Sequence, residues 1–420
     1  MLMAIDKKRK KKYPELKALW ITVFCDILGY FIIIPLIPSF IHLYNTSPFM
    51  IGLLIATNAL FTFIFSPIWG HASDKLGRKP MLIICQGGTT AAFLVLAFSN
   101  SLEMLFLSRI VDGVFGGNFT LVKAIISDKI PPKDRGIQMA NVGVVVVLAG
   151  LIGPGLGGLL SIYGIIGPGL GSATISVVTI IVTIILLEES WPKSKRIEKI
   201  ENIKEKIKLR KNKTALYLLT LWGFHTLTFM MYLITMALVM ALILGLSPLE
   251  IGIILTIAGI FRAIIRFTLF KPTLRFLGEP RAIKFGLILL VITFFLIGLV
   301  RDVIGLIIIM LVFSYGASCS RGPLIAKITL SVSPKEMGKI NGYTSSLDSF
   351  GGIIGPLIVG LIIGIYGAFW LSLLMTALAL VAFVMNQKDI KPFSYRIQQK
   401  VKKKESISKE DIKSTEELRQ

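Results

Sequence analysis

Apolar residues in this chain neither alternate with polar ones nor gather into the single stripe of a surface helix. They come in long blocks separated by short polar connections. A helix rises about 1.5 Å per residue, so a block of roughly twenty residues spans the ~30 Å of bilayer hydrocarbon. The blocks predict twelve helices, at 18–43, 50–69, 81–98, 102–127, 137–160, 164–187, 215–245, 249–270, 281–299, 303–328, 338–364 and 366–386. In hydrocarbon a spanning segment must satisfy its own backbone hydrogen bonds, which an α-helix does. The chain therefore reads as an all-α polytopic membrane protein.

The pattern also repeats. SPFMIGLL from Ser47 returns as SPLEIGII from Ser247, an offset of 200, and Pro154 and Pro356, each after Ile-Gly, are 202 apart. LGRK from Leu76 is matched in position by LGEP from Leu277. Several stretches holding nearly one offset predict two pseudo-symmetric six-helix bundles, at 18–187 and 215–386. A basic tail (1–17), a linker (188–214) and a charged tail (387–420) complete the chain. Parallel repeats of this kind place a substrate site at their interface near mid-membrane. In the linker Ile197, Ile200, Ile203 and Ile207 keep helical spacing among charges, which predicts an amphipathic helix on the lipid surface.

Composition changes the picture in one respect. Of 420 residues, 17% are charged, and the net charge is +22. In a soluble chain such a balance points to nucleic acid. Here the basic residues gather in the N-terminal KKRKKK, the even-numbered connections, the linker and the C-terminal tail. The odd-numbered connections are nearly free of them, Arg301 beside Asp302 excepted. By the positive-inside rule both termini and the linker are expected in the cytoplasm, with the chain in the plasma membrane and no nucleic-acid partner. The first apolar run lacks a small-residue cleavage site and is expected to stay as a helix. Cys25, Cys85 and Cys319 all fall inside predicted spans, so neither a disulfide framework nor a metal site is indicated. No Walker A motif, zinc signature or triad spacing appears, so no cofactor and no enzymatic reaction is expected.

Four short motifs stand out. GHASDKLGRKP, residues 70–80, crowds charge into the connection between the second and third helices. It resembles the G-x-x-x-D-[RK]-x-G-R-[RK] signature of the major facilitator superfamily, at Gly70, Asp74, Lys75, Gly77, Arg78 and Lys79. DILGYFIIIPLIP, from Asp26, resembles the first-helix D-x-x-G-x-x-x-x-x-P-x-x-P pattern of tetracycline-type exporters. SRIVDGVFGG resembles the fourth-helix R-x-x-x-G pattern, with Arg109 and Gly113. GPGLGG resembles the fifth-helix antiporter motif, with Gly153, Pro154, Gly157 and Gly158. The resemblance is to the twelve-helix drug:proton antiporter branch and extends over about residues 18–386. It implies alternating access and proton-coupled export of a small molecule, with protons and membrane lipids as the other partners of a monomer.

Elementary chemistry gives these motifs work. Asp74 alone would be expensive at the hydrocarbon edge, so cationic partners or the helix start near Gly338 are expected around it. Arg78 is expected to reach Asp128, and the cluster to latch the two halves together when the cytoplasmic side is closed. The second copy, KPTLRFLGEPR, keeps Gly278 but has Arg275 where Asp74 would stand, so the latch is expected in one half only. The glycines of GPGLGG let helices approach closely, and Pro154 is expected to bend its helix and seal the cavity against proton leak; for Gly157 and Gly158 plain close packing is the competing reading. GPGLG at 167–171 is read as a turn or bend.

Ionisable groups inside a membrane are functional by default. Depth counting at 1.5 Å per residue puts Asp26, Asp112 and Asp348 roughly 13–15 Å in, near the midplane. Arg109, Arg262, Arg266, Arg321 and Lys327 form the basic set within the spans. Asp26 shares a face with Thr22, Gly29 and Tyr30, expected to line a cavity. Arg109 and Asp112 are three apart and can pair, which leaves Asp112 either a counter-ion or a proton carrier. His225 near Trp222 and Phe229 is read as a packed residue before a proton relay. The favoured function is proton-coupled export of a small amphipathic compound, in preference to a metabolite or sugar carrier or a transport-inactive scaffold.

Overall fold

A computed structural model of the chain describes residues 13, 16–192, 212–332 and 336–388. Most of both tails, and Ile197, Ile200, Ile203 and Ile207 of the expected amphipathic linker helix, lie outside the described residues. Among the described residues, twelve helices are long and apolar enough to cross a membrane: α1 (Leu16–Leu43), α2 (Pro48–Leu76), α3 (Arg78–Ala97), α4 (Leu102–Lys129), α5 (Pro132–Leu160), α6 (Ile166–Leu186), α7 (Lys213–Leu242), α8 (Pro248–Thr268), α9 (Phe270–Ile297), α10 (Val303–Thr329), α11 (Met337–Ile365) and α12 (Ala368–Asn386).

The helices pack in two sets of six. In the first, α1 lies against α5 and α6, α2 against α4, and α3 against α4 and α6. The second repeats this with every number raised by six: α7 against α11 and α12, α8 against α10, and α9 against α10 and α12. The sets meet chiefly where α2 crosses α11 and α5 crosses α8.

Glycine makes both crossings possible. Gly52 of α2 faces the Pro356 carbonyl and Gly360 of α11, while its repeat mate Gly252 of α8 faces the Pro154 carbonyl and Gly158 of α5. A Cβ at Gly52 or Gly252 would run into that facing backbone, so no other residue allows the approach. These contacts lie toward the end of the molecule remote from residues 70–80. Toward the end that carries residues 70–80, here the basic end, Gly143 of α5 and Gly342 of α11 have nothing within 4 Å of an added Cβ. The halves touch at the far end.

Two spans are not continuous α-helix. In α1 the stretch Ile34–Ser39, with Pro35 and Pro38, is a 3-10 turn. α4 breaks at residues 115–117, between Leu102–Val114 and Asn118–Lys129. Breaking a helix in hydrocarbon frees carbonyls that need donors. The Trp69 indole N–H donates to the Val114 carbonyl at 2.6 Å, and the Ser66 hydroxyl donates to Gly116 at 3.3 Å. Gly117 leaves room for the Trp69 ring. One expectation changes. GPGLG at 167–171 is not a turn but the first part of α6, since proline in a first helical turn removes no intrahelical bond. α5 runs from Pro132 to Leu160 through Pro154 as one helix.

Candidate functional site

A cavity of about 350 Å³ lies between the two halves. Its wall is mostly apolar, with Phe31, Ile55, Met230, Leu255, Met310 and Phe313 among the lining side chains. Its polar side chains are Tyr30, Asn58, Arg109, Tyr232, Arg262 and Ser314. Pro154 and Pro356, repeat mates from the two crossings, also line it. Among the described residues, no carboxylate does.

None of the three midplane acids is among these wall residues; the Asp112 side chain is 11% exposed and that of Asp348 is 32% exposed. Asp112 pairs with Arg109 at 3.3 Å and accepts from the Asn58 amide at 2.9 Å. Asn58 also donates to the Arg109 carbonyl at 3.3 Å, tying α2 to α4, and Arg109 donates to Ser108 at 2.9 Å. Arg109 reaches the cavity while its counter-ion does not. Asp26 accepts a hydrogen bond from Asn118 at 2.8 Å, just beyond the break in α4. The face expected to line the cavity instead packs into the first bundle. Thr22 sits 3.4 Å from Thr183 of α6, and Ser172 donates to the Gly29 carbonyl at 2.7 Å. Small and hydroxylated residues serve helix contacts as readily as they line water, and from that face Tyr30 alone reaches the cavity.

In the second half Asp348 pairs with Arg321 of α10 at 3.1 Å and accepts from Thr226 of α7. The Arg321 guanidinium lies over Trp222 and Phe229, 4.6 Å from each ring centre. His225 is buried, its Nε2 3.0 Å from the Ser320 hydroxyl and its ring stacked on Trp222. It is off the cavity wall.

At the basic end, residues 70–80 form a buried ion-pair cluster. Gly77, with φ 109°, turns the chain from α2 into α3, a conformation that glycine adopts without strain. Arg78 is 4% exposed. Its Nε donates to Asp128 at 2.9 Å, and its Nη atoms donate to Asp74, Ser73 and the Gly70 carbonyl. Glu189, after α6, accepts the backbone N–H groups of Arg78 at 2.9 Å and Lys79 at 3.2 Å. A carboxylate at a helix start satisfies orphan donors and suits the dipole of α3. Lys79 donates to the Ile184 carbonyl at 2.7 Å, and the Trp191 indole donates to the Asp74 carbonyl at 3.1 Å. The bonds of Arg78 thus knit α2, α3 and α4 within the first half, with Arg78 reaching Asp128 as expected. In GPGLGG, Gly153 and Gly157 face Phe31 and the Ile32 backbone of α1, whereas Gly158 faces α8. One motif serves both the bundle and the crossing.

Residues 19–269 and 223–416 each match the family description Major Facilitator Superfamily. The chain belongs to the Major Facilitator Superfamily. It is 26% identical over 371 residues to multidrug resistance protein 2 of Bacillus subtilis, covering 84% of this chain and 90% of the relative. It is also 26% identical over 392 residues to the class H tetracycline resistance protein of Pasteurella multocida, covering 87% and 95%. Among solved structures it is similar in fold to a D-xylose-proton symporter, with TM-score 0.72, 14% identity and coverage of 89% of this chain and 97% of that one. As a Major Facilitator Superfamily member the chain is a multi-pass membrane transporter for a small molecule.

Against the superfamily motifs, several residues that matter to the site carried no motif. Asn58 and Asn118 hold Asp112 and Asp26, Thr226 holds Asp348, and Glu189 and Trp191 complete the turn at 70–80. The signal available for Asn58 and Asn118 was their polarity inside apolar blocks, since an amide in hydrocarbon needs a partner. Glu189 and Trp191 follow α6 in a segment that reads as linker, and only the fold brings them to α3.

Proposed function

We propose that this chain exports small amphipathic compounds in exchange for protons by alternating access, as a plasma-membrane monomer with both termini in the cytoplasm. The observation that carries the reading is the cavity: an apolar chamber with few fixed polar groups, between two halves that cross closely at one end. Such a lining binds by shape and desolvation and tolerates varied apolar bodies. A sugar would leave hydroxyls unpaired against it. Relatives named multidrug and tetracycline resistance proteins support the same reading. The positive-inside rule puts the basic end in the cytoplasm.

Asp26 is the proton carrier in this reading, with Asp112 and Asp348 in structural pairs. Protonating Asp112 or Asp348 strands an arginine that each now neutralises. Asp26 is held by the uncharged Asn118, so it can gain and lose a proton without stranding a cation. In proteoliposomes with an imposed pH gradient, Asp26→Asn is expected to insert and fold normally yet lose gradient-driven substrate movement. A variant that still concentrates substrate with an unchanged pH profile would remove Asp26 from the mechanism.

A further inference from the structure

The charges in the wall do not balance. Arg109 is neutralised by Asp112, and Arg321 by Asp348. Arg262 of α8 lines the cavity and, among the described residues, has no ion pair or hydrogen bond; its Nε is buried without a partner. Arg266, one turn closer to the basic end, is exposed. Lys123 of α4 rests its ammonium over Phe119 at 4.7 Å and lies within reach of the charge of Asp348 of α11. Against these cations, Asp26 is the one midplane acid not already paired with an arginine, and it is off the cavity wall.

A guanidinium kept in an apolar chamber without a counter-ion is expensive. Long arginine side chains can escape by snorkelling to the headgroups, and Arg266 is placed to do so. Arg262 is not: its Nε is closed off and its side chain borders the chamber that holds Tyr232, Met310 and Phe313. A carboxylate meets such a guanidinium with two parallel hydrogen bonds, whereas a cation would be repelled by it and a neutral molecule would leave it unpaired.

We propose that the cavity takes amphipathic organic anions, with the anionic group, a carboxylate or its equivalent, held by Arg262 and the apolar body against the aromatic and aliphatic wall. This names the substrate class for the export reading above and rests on it. Arg109 stays with Asp112, so the anion is recognised from the second half and the first half supplies the apolar contacts of Phe31, Ile55 and the Tyr30 ring. The orphan charge of Arg262 thereby becomes the selectivity element, favouring anions and rejecting cations of the same size.

The test is equilibrium binding by calorimetry to the purified full chain in phosphatidylcholine nanodiscs at neutral pH. Three probes share one aromatic body: 1-naphthoate, 1-naphthamide and 1-naphthylmethylammonium. The expected order is naphthoate at least roughly tenfold tighter than the amide, with the ammonium weakest, as a charge-assisted bond to a partly buried, unpaired arginine implies. Arg262→Gln should lower naphthoate affinity by about tenfold or more and leave the amide unchanged, while Arg262→Lys keeps part of the preference. Unchanged amide binding shows that the cavity of the variant is intact, and the wild-type order alone decides the matter if the variant does not fold. Equal binding of amide and naphthoate, preference for the ammonium, or no naphthoate binding would overturn the proposal. Loss of naphthoate binding on adding phosphatidylglycerol would assign Arg262 to lipid phosphate and overturn it too. These measurements use no gradient, so failure of proton-driven export would appear separately, as absent pH-driven movement of any probe.

Discussion

Gly77 and Gly278 stand at equivalent places in the two halves, each with a backbone that side chains resist, at φ 109° and 71°. Around Gly77, Arg78 is buried among Asp74, Asp128 and Trp191. Around Gly278, the equivalent positions carry Arg275 for Asp74, Glu279 for Arg78 and Leu330 for Asp128. Arg275 and Glu279 are exposed and, among the described residues, make no ion pair. The duplication kept the turn and lost the cluster. By contrast, the crossings kept both: Gly52 on Pro356 and Gly252 on Pro154 repeat in geometry and in chemistry. Backbone approach is fixed by shape, which both halves need.

The largest effect should come from breaking a crossing. Gly252→Leu would drive a side chain into the Pro154 carbonyl and Gly158 of the opposite half. The far end should then fail to close and transport should be lost, with Gly52→Leu acting alike. Gly143→Ala and Gly342→Ala, where a Cβ meets open space, should leave far-end closure unchanged and gain about 0.5–1 kcal/mol of helix propensity. Distance measurements between spin labels on the far ends of α2 and α11 check this, and equal distances in Gly252→Leu and the parent would refute it.

A smaller effect separates the two turns. Asp128 is nearly buried and faces a buried Arg78, with side chains 10% and 5% exposed. Asp128→Asn leaves that guanidinium short of charge and should lower stability by on the order of 3 kcal/mol, the usual cost of breaking a buried pair from one side. Asp74, whose side chain is 39% exposed, should cost about 1 kcal/mol as Asp74→Asn. Glu279→Gln in the other half should be silent. Thermal unfolding in one lipid or detergent ranks the three variants, and a Glu279→Gln loss matching that of Asp128→Asn would contradict the asymmetry.

The same contrast explains what could be read from the residues in order. Apolar blocks and repeated glycines specify where helices run and where backbones meet, so the span pattern and the two-fold plan follow from spacing. Partners do not follow from spacing when they come from distant spans. Asp26 and Asn118 meet only because α4 breaks at Phe115–Gly117 and restarts beside α1. Thr22, Gly29 and Tyr30 share a helical face with Asp26, but polarity alone does not say whether a face of small polar residues meets water or a neighbouring helix. Arg262 and Arg266 look alike in sequence, one turn apart, and only the fold shows that one borders the cavity and the other is exposed.

The smallest expected effect sharpens the comparison by trying to rebuild what the second half lacks. Arg275→Asp with Glu279→Arg restores the order of charges found at Asp74 and Arg78, four residues apart across Gly278. An exposed pair at that spacing contributes about 0.3–0.5 kcal/mol, and nothing here removes it from water. The first-half cluster is more than that pair because Asp128 supplies a second carboxylate to a buried guanidinium. Leu330 stands at the equivalent place and is 45% exposed. The double variant should therefore shift the unfolding midpoint barely at all, and its small gain should vanish in high salt. Adding Leu330→Asp supplies the second carboxylate, and the triple variant should exceed the double variant by more than the pair itself contributes. If the double variant alone matched the stability difference between Asp128→Asn and its parent, the charge order across the glycine, and not burial against a second acid, would be what makes the turn at 70–80 a cluster.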